Sequence, residues 1–148
     1  MSLEWQRGEY RVSTDAARLD VSLIYDFLTQ ESYWGRGRSR ELIERSIANS
    51  LAFGIYKTGQ QVGFARVITD YATFAYLADV FILPVERGQG LSKWLLEIIT
   101  QHPALQGLRR WLLATRDAHG LYEQYGFTPL ARPDRWLERF SETDSASS

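Results

Sequence analysis

A short turn rich in glycine is the stretch best suited by its residue types to bind an anion. Residues 87–90 read Arg-Gly-Gln-Gly, between an apolar segment that stops at Pro84 and an amphipathic segment that starts at Leu91. A strand, a glycine turn and a helix start in this order direct several backbone N–H groups and the positive end of the helix dipole at one point. The stretch therefore predicts a phosphate or pyrophosphate site.

The turn by itself leaves the ligand open. It lacks the Gly-Lys-Ser/Thr ending of a Walker A loop and the third glycine of a dinucleotide-binding fingerprint. From these residues alone, a nucleotide-binding domain and a glycine-rich connection without a ligand are both alternatives. A second stretch has to decide between them.

That second stretch lies downstream, where residues 118–127 read Ala-His-Gly-Leu-Tyr-Glu-Gln-Tyr-Gly-Phe. Together the two stretches resemble the motifs of the GNAT family of N-acetyltransferases, Arg/Gln-x-x-Gly-x-Gly/Ala and Ala-x-x-Leu-Tyr-x-x-x-Gly-Phe. Arg87 and Gly90 match the first motif, and Ser92 departs from its usual glycine or alanine. The resemblance covers residues 50–127, and it extends to residues 1–49 only through the order of elements.

The resemblance implies that the ligand of the turn is acetyl-coenzyme A. The amides implied to bind its pyrophosphate are those of Arg87, Gly88, Gln89, Gly90, Leu91, Ser92 and Lys93. The strand before the turn would pair with the pantetheine arm at Val80 and Ile82, and the Val80 amide would donate to the thioester carbonyl. Thr115 stands where many members have an asparagine that contacts the cofactor.

The resemblance also implies the reaction, which is direct transfer of an acetyl group to a primary amine of a small molecule or peptide. Tyr122 occupies the place of the tyrosine that protonates the departing thiolate in many members. Its alternative interpretation is an aromatic side chain at the edge of the core. A non-catalytic domain that binds or senses acyl-coenzyme A is the alternative function.

Asp79 is the candidate general base, because it is the single charged residue in the apolar stretch 75–83. Burying a carboxylate is costly unless it is paired or functional. The alternative is a structural carboxylate paired with an arginine such as Arg66. Lesser candidates for the base are Glu31, Tyr76 and His119.

The acceptor amine is poorly determined by the sequence. Five aromatic residues could line its pocket or belong to the core, and these are Tyr33, Trp34, Tyr71, Phe74 and Trp136. Three arginines in the segment 30–40 hint at an acceptor with a carboxylate or phosphate, although such charges commonly form a solvated face. These arginines are Arg36, Arg38 and Arg40.

The helices and strands that must position these residues are predicted from the periodicity of apolar residues and from the residues that begin or end such elements. They predict an α+β fold, a mixed central sheet in the order β-α-α-β-β-β-α-β-α-β-β with helices on both faces. The predicted strands are 9–14, 50–56, 62–68, 73–83, 108–115, 127–131 and 135–140. The predicted helices are 19–28, a second one from Ser39, a third one from Leu91 that Pro103 and Gly107 end, and 117–125. Residues 1–140 form one predicted domain, and 141–148 a disordered tail.

Composition narrows the class of protein further. The chain has 148 residues, no cysteine, two histidines and a net charge of −1, so disulfides and thiolate sites are excluded. We expect no metal site, no nucleic-acid partner, no membrane span and a cytoplasmic location. The sequence leaves a homodimer open.

Overall fold

The computed structural model describes residues 2–32 and 37–141. Within them one six-stranded sheet has the order β1-β2-β3-β4-β5-β6. The strands are β1 (Glu4–Arg7), β2 (Tyr10–Ser13), β3 (Leu51–Lys57), β4 (Gln60–Thr69), β5 (Phe74–Ile82) and β6 (Arg110–Leu113). The helices are α1 (Val21–Asp26), α2 (Arg40–Ala48), α3 (Leu91–Gln101) and α4 (His119–Glu123).

The sheet is mixed, as the sequence predicted. Strands β1 to β5 form an antiparallel series of neighbours, and β6 is parallel to β5. A parallel neighbour requires a crossover, and α3 provides it. The glycine turn therefore lies at the end of β5, where the crossover begins.

Helices cover both faces of the sheet, because the apolar side chains of the central strands alternate between two cores. The core under α1 and α2 comprises Ile24, Phe27, Leu28, Ile43, Ile47, Ala52, Phe64 and Phe81. The core on the opposite face packs α3 against β2 to β5, and its members include Val12, Phe53, Ile55, Val67, Leu77, Leu95, Leu96 and Ile99. The predicted α+β class is confirmed.

Side-chain hydrogen bonds cap the N-termini of α1 and α2. The Asp20 carboxylate accepts a hydrogen bond from the Leu23 amide at 3.1 Å, and the Ser39 hydroxyl accepts one from the Leu42 amide at 3.1 Å. These bonds satisfy amides that the first turn of a helix leaves without intrahelical partners. Helix α1 then continues into a wider π-helical turn, Phe27–Glu31.

Two predicted strands are wrong. Residues 127–131 and 135–140 contain apolar residues at strand-like spacing, but the structure places neither segment in the sheet. Pro129 has no amide hydrogen to donate to a neighbouring strand. Residues Pro133–Arg135 form a 3₁₀ turn. The prediction also missed β1, whose mostly exposed residues give little apolar signal.

His102 is buried between aromatic rings at the end of α3. Its ring centroid lies 6.0 Å from that of Trp5 and 5.8 Å from that of Phe53. Its Nδ1 accepts a hydrogen bond from the Ala104 amide at 3.0 Å, which the neutral ring allows. Burial lowers the pKa of His102 below its ordinary value of 6.5.

This lowered pKa predicts a pH-dependent stability. Below pH 6.5 the unfolded chain binds more protons at His102 than the folded chain, so the free energy of unfolding should fall as the pH falls through that value. His102→Asn, whose amide oxygen can accept the same hydrogen bond, should lose less stability than the wild type between about pH 6.5 and 5. Urea unfolding at several pH values measures this.

The control is His119→Asn, because His119 is exposed. That variant should keep the pH dependence of the wild type. Identical pH dependence in the wild type and in His102→Asn would contradict the prediction.

Candidate functional site

A gap opens in the sheet between β5 and β6. The pairing of the two strands runs from Phe74 opposite Arg110 to Leu77 opposite Leu113 and ends there, whereas β5 continues to Ile82. On its other edge β5 stays paired with β4 as far as Ile82 opposite Gly63. The second half of β5 therefore has one edge in the sheet and the other beside the gap.

The backbone groups of Val80 and Ile82 point towards this gap. The Leu83 amide donates to the Val62 carbonyl at 2.8 Å, on the β4 side. Since amide directions alternate along a strand, those of Ile82 and Val80 point to the opposite side. The Arg87 Nε donates to the Ile82 carbonyl at 3.0 Å and so anchors the following turn to the strand.

A β-bulge lies in the middle of this half of β5. Phe64 pairs with Phe81 and Arg66 pairs with Ala78, so two residues of β5 oppose one residue of β4. Asp79 takes the left-handed backbone conformation there, with φ +55°. The bulge turns the Asp79 side chain towards α2, and Val80 packs against the core under α3.

Asp79 is buried and bound by two guanidinium groups. Arg38 donates from one nitrogen to both carboxylate oxygens, at 3.0 and 2.9 Å, and the Arg66 Nε donates to Oδ2 at 3.0 Å. Arg66 also donates to the Ser50 hydroxyl at 3.1 Å. The pairing with Arg66 is the alternative that the sequence left open, and the participation of Arg38 was not foreseen.

The glycine turn has the conformation that an anion site needs. Gly88 and Gly90 have φ values of +84° and +75°, which strain any residue with a Cβ. Gly90 is the N-cap of α3 and carries no side chain to cap it. The first amides of α3 are therefore directed at the space in front of the helix, together with the positive end of its dipole.

A cavity of ≈ 320 Å³ joins the turn to the end of β5 and to α4. Its lining residues are Ile82, Glu86, Arg87, Gly88, Gly90, Leu91, Ser92, Lys93 and Leu121. Six of the seven predicted turn residues are thus brought together with the strand end and with the neighbour of Tyr122. The seventh, Gln89, directs its side chain to Tyr10 instead. These features fit a ligand with a pyrophosphate group and an extended arm.

A polar network supports the turn, and Tyr10 and Glu86 at its centre are buried. The Tyr10 hydroxyl donates to the Glu86 carboxylate at 2.6 Å and lies 3.1 Å from the Gln89 side-chain oxygen. The hydrogen bond to Glu86 raises the pKa of Tyr10. The Lys57 ammonium lies 3.7 Å from Glu86, and Arg7 donates to the Gln89 carbonyl at 3.1 Å. Sequence reasoning missed this network, because its members lie far apart in the chain.

Tyr122 lies on α4, half-buried, and packs against the same core as Val80. Its ring meets that of Phe127 edge to face, with centroids 6.0 Å apart. Thr115 lies just before α4, and its hydroxyl accepts a hydrogen bond from the Ala118 amide at 3.1 Å. The cofactor contact of Thr115 and the acid role of Tyr122 stay predictions.

Tyr71 and Phe74, two described residues among the aromatic ones predicted for the acceptor pocket, are not brought to the gap. Tyr71 is exposed in the turn before β5, and Phe74 is the first residue of that strand. From Phe74 to Val80 a strand spans roughly 20 Å. Tyr33 and Trp34 lie outside the described residues.

The part of the chain that the structure describes has neither a metal-ligand cluster nor a membrane-spanning helix. In residues 2–32 and 37–141 no group of three or more His, Cys, Asp or Glu side chains could hold a metal ion. No helix in these two ranges has the length and hydropathy required to cross a membrane.

Comparison with known proteins identifies the family. The model of the acetyltransferase (GNAT) domain matches residues 48–129. A candidate acetyltransferase of Gibberella zeae is 38% identical over 140 residues, which cover 80% of this chain and 78% of that protein. The chain therefore belongs to the GNAT family of acetyltransferases, as the two motifs indicated.

Solved structures agree with this assignment. The crystal structure of a candidate GNAT acetyltransferase from Xanthomonas campestris pv. campestris is 50% identical, with a TM-score of 0.91 over 95% of this chain and 99% of that one. A candidate acetyltransferase from Clostridium acetobutylicum, solved with acetyl-coenzyme A, shares the fold, with a TM-score of 0.62 and 17% identity over 95% and 96% of the two chains. The predicted class, an N-acetyltransferase with acetyl-coenzyme A as its cofactor, is confirmed.

The hydrogen bonds between Tyr10 and the glycine turn predict an effect on the affinity for coenzyme A. Tyr10→Phe removes the hydroxyl that donates to Glu86 beneath the turn, so the turn should bind coenzyme A less tightly. A hydrogen bond to a charged group contributes about 1.5–3 kcal/mol, and a loss at the lower end of this range corresponds to a dissociation constant raised roughly 10-fold. Isothermal titration calorimetry with coenzyme A measures the change.

Tyr25→Phe is the matched control, because Tyr25 packs against the core on the other face of the sheet. It should leave the affinity at the wild-type value. An unchanged dissociation constant in a folded Tyr10→Phe variant would remove Tyr10 from the support of the turn.

Proposed function

We propose that this chain transfers the acetyl group of acetyl-coenzyme A directly to a primary amine of a small molecule or peptide. One observation carries the proposal. Ile82, at the end of β5 beside the gap, lines the cavity at the start of α3 together with Leu121, the neighbour of Tyr122 in α4. This arrangement supports a single site for the cofactor and the candidate acid.

The chain's own groups suit each part of the cofactor. The amides at the start of α3 would hold the pyrophosphate, and the Val80 and Ile82 backbone would pair with the pantetheine arm. The Val80 amide is the candidate donor to the carbonyl oxygen on which charge develops. Bound acetyl-coenzyme A supplies the thioester that an amine attacks.

The transfer forms one C–N bond and breaks one C–S bond. The attacking amine has to be neutral, although a free alkylamine has a pKa of about 10, so its ammonium form first loses one proton to a base or to water. The nitrogen loses a second proton as the amide forms, and the leaving sulfur gains one from an acid. Tyr122 is the proposed acid, since it lies on the helix that closes the site.

The geometry of Asp79 supports a positioning role. Both of its carboxylate oxygens accept hydrogen bonds from guanidinium groups, and the base role stays a prediction. By holding Arg66 of β4 and Arg38 near the start of α2, Asp79 ties the bulge to the neighbouring elements. The amide of the next residue, Val80, is thereby held towards the gap.

Tyr122→Phe tests the acid. If the hydroxyl protonates the leaving sulfur, its removal should lower kcat about 100-fold and change the KM for acetyl-coenzyme A little. A panel of primary amines, with the released thiol detected, measures turnover and identifies the acceptor class. Tyr25→Phe is again the control.

Wild-type turnover in Tyr122→Phe would exclude the acid role. Thiol release that does not depend on any amine, or none at all from a chain that binds acetyl-coenzyme A, would contradict transfer to the amines of the panel.

Asp79→Asn separates the two roles of that residue. Leaving Arg38 and Arg66 without a carboxylate should lower the free energy of unfolding by about 3 kcal/mol. If Asp79 acts by positioning, kcat falls but the ascending limb of the pH–rate profile keeps its midpoint. A shift or loss of that limb would instead assign the base to Asp79. Asp134→Asn, at an exposed carboxylate, is the control.

A further inference from the structure

Another cavity lies beside α2, on the face of the sheet that α1 and α2 cover. Its volume is ≈ 390 Å³, and its described lining contains no acidic residue. Three arginines and three other residues line it, and they are Arg38, Leu42, Arg45, Ser46, Asn49 and Arg66. The cavity therefore has the side chains of an anion site.

Arg66 is the buried member of this lining, with 9% of its surface exposed. Its Nε donates to Asp79 and its Nη1 donates to the Ser50 hydroxyl, whereas its Nη2 donates to no acceptor among the described residues. A guanidinium has five N–H donors, and it matches an oxyanion with two acceptor oxygens. The donors left at Nη2 are therefore available to a ligand in the cavity.

The charges around the cavity leave room for an anion. The single carboxylate of Asp79 faces two guanidinium groups, those of Arg38 and Arg66. Arg45 pairs with Glu41 at 3.1 Å, but both side chains are exposed, and a surface ion pair of this kind holds its partners weakly. A bound oxyanion would balance the excess positive charge beside Asp79.

The cavity is close to the place where an amine has to attack. Asp79 directly precedes Val80, so the Arg66 guanidinium that binds Asp79 lies within roughly 10 Å of the Val80 amide. Val80, Leu121 and Tyr122 pack with the core under α3, on the side of the proposed cofactor. The opposite face of the gap, where Asp79 and its arginines lie, is left for the amine.

We propose that this cavity binds an oxyanion of the acceptor, so that the acceptor is a primary amine that also carries a carboxylate or a phosphate. The inference rests on the proposed function. Arg66 and Arg45 donate to the oxyanion, and Asp79 holds Arg66 in place. The amine at the other end of the molecule then faces the thioester. The role deepens that of Asp79, which positions both the Val80 amide and an acceptor-binding arginine.

Matched pairs of amines test the proposal. Thiol release from acetyl-coenzyme A is measured with 4-aminobutyrate against butylamine, and with 2-aminoethyl phosphate against 2-aminoethanol. In at least one pair the anionic amine should have a kcat/KM about tenfold above that of its neutral partner, because it gains charge-assisted hydrogen bonds. The pair that shows the preference distinguishes a carboxylate from a phosphate.

Arg45→Gln assigns the preference to the cavity. It should raise the KM for the preferred anionic amine about tenfold relative to the KM for its neutral partner. Arg40→Gln is the matched control, because Arg40 is an exposed arginine of the same helix and does not line the cavity. Its ion pair with Glu44 resembles that of Arg45 with Glu41, so the control removes an equivalent surface contact.

Equal kcat/KM values within both pairs would overturn the inference and leave acetyl transfer standing. A preference for the anionic amine that Arg45→Gln does not change would overturn it too. If no amine of the panel is turned over, calorimetric titration of the two anionic amines into the chain saturated with coenzyme A decides the inference separately from catalysis. Binding that Arg45→Gln weakens and Arg40→Gln preserves would support it, and an absence of binding would overturn it.

Discussion

The separation of β5 from β6 beyond Leu77 is the constraint on which the site depends. Peptide groups in a sheet normally form hydrogen bonds with the neighbouring strand. Here half of one edge of β5 faces a gap instead. The arrangement is stable because β4 pairs with β5 on the other edge as far as Ile82. A ligand with its own amides can then take the place of the missing strand.

At the bulge, the side chains of Asp79 and Val80 lie on opposite faces of the sheet and have different partners. On one face a buried carboxylate binds Arg38 and Arg66 and links the strand to its surroundings. On the other face Val80 joins the core under α3. A left-handed residue in a strand is strained, and strain of this kind persists where surrounding contacts hold it. Here the two guanidinium groups supply those contacts.

The N-terminal hairpin supports the glycine turn of the candidate cofactor site, although the family motifs begin later in the chain. Tyr10 of β2 binds Glu86 beneath the glycine turn, and Arg7 of β1 binds the Gln89 carbonyl and lies over the Trp94 ring. The turn is thus supported by strands from the opposite end of the sheet. Its conformation depends on the whole domain as well as on its glycines.

The sequence by itself determined the features that depend on contiguous residues. The turn at Gly88 and Gly90, the start of α3 and the segment around Tyr122 were all predicted, because each is encoded by local backbone requirements and helical spacing. The same local signals indicated the fold class and, through the resemblance, the family.

Only the tertiary structure decided the features that depend on distant partners. Tyr10 and Glu86 are 76 residues apart, and Arg38 and Asp79 are 41 apart, so no local pattern could pair them. The segments 127–131 and 135–140 have strand-like apolar residues, yet they lie outside the sheet. A strand needs an edge to pair with as well as a pattern, and the availability of an edge is a property of the folded molecule.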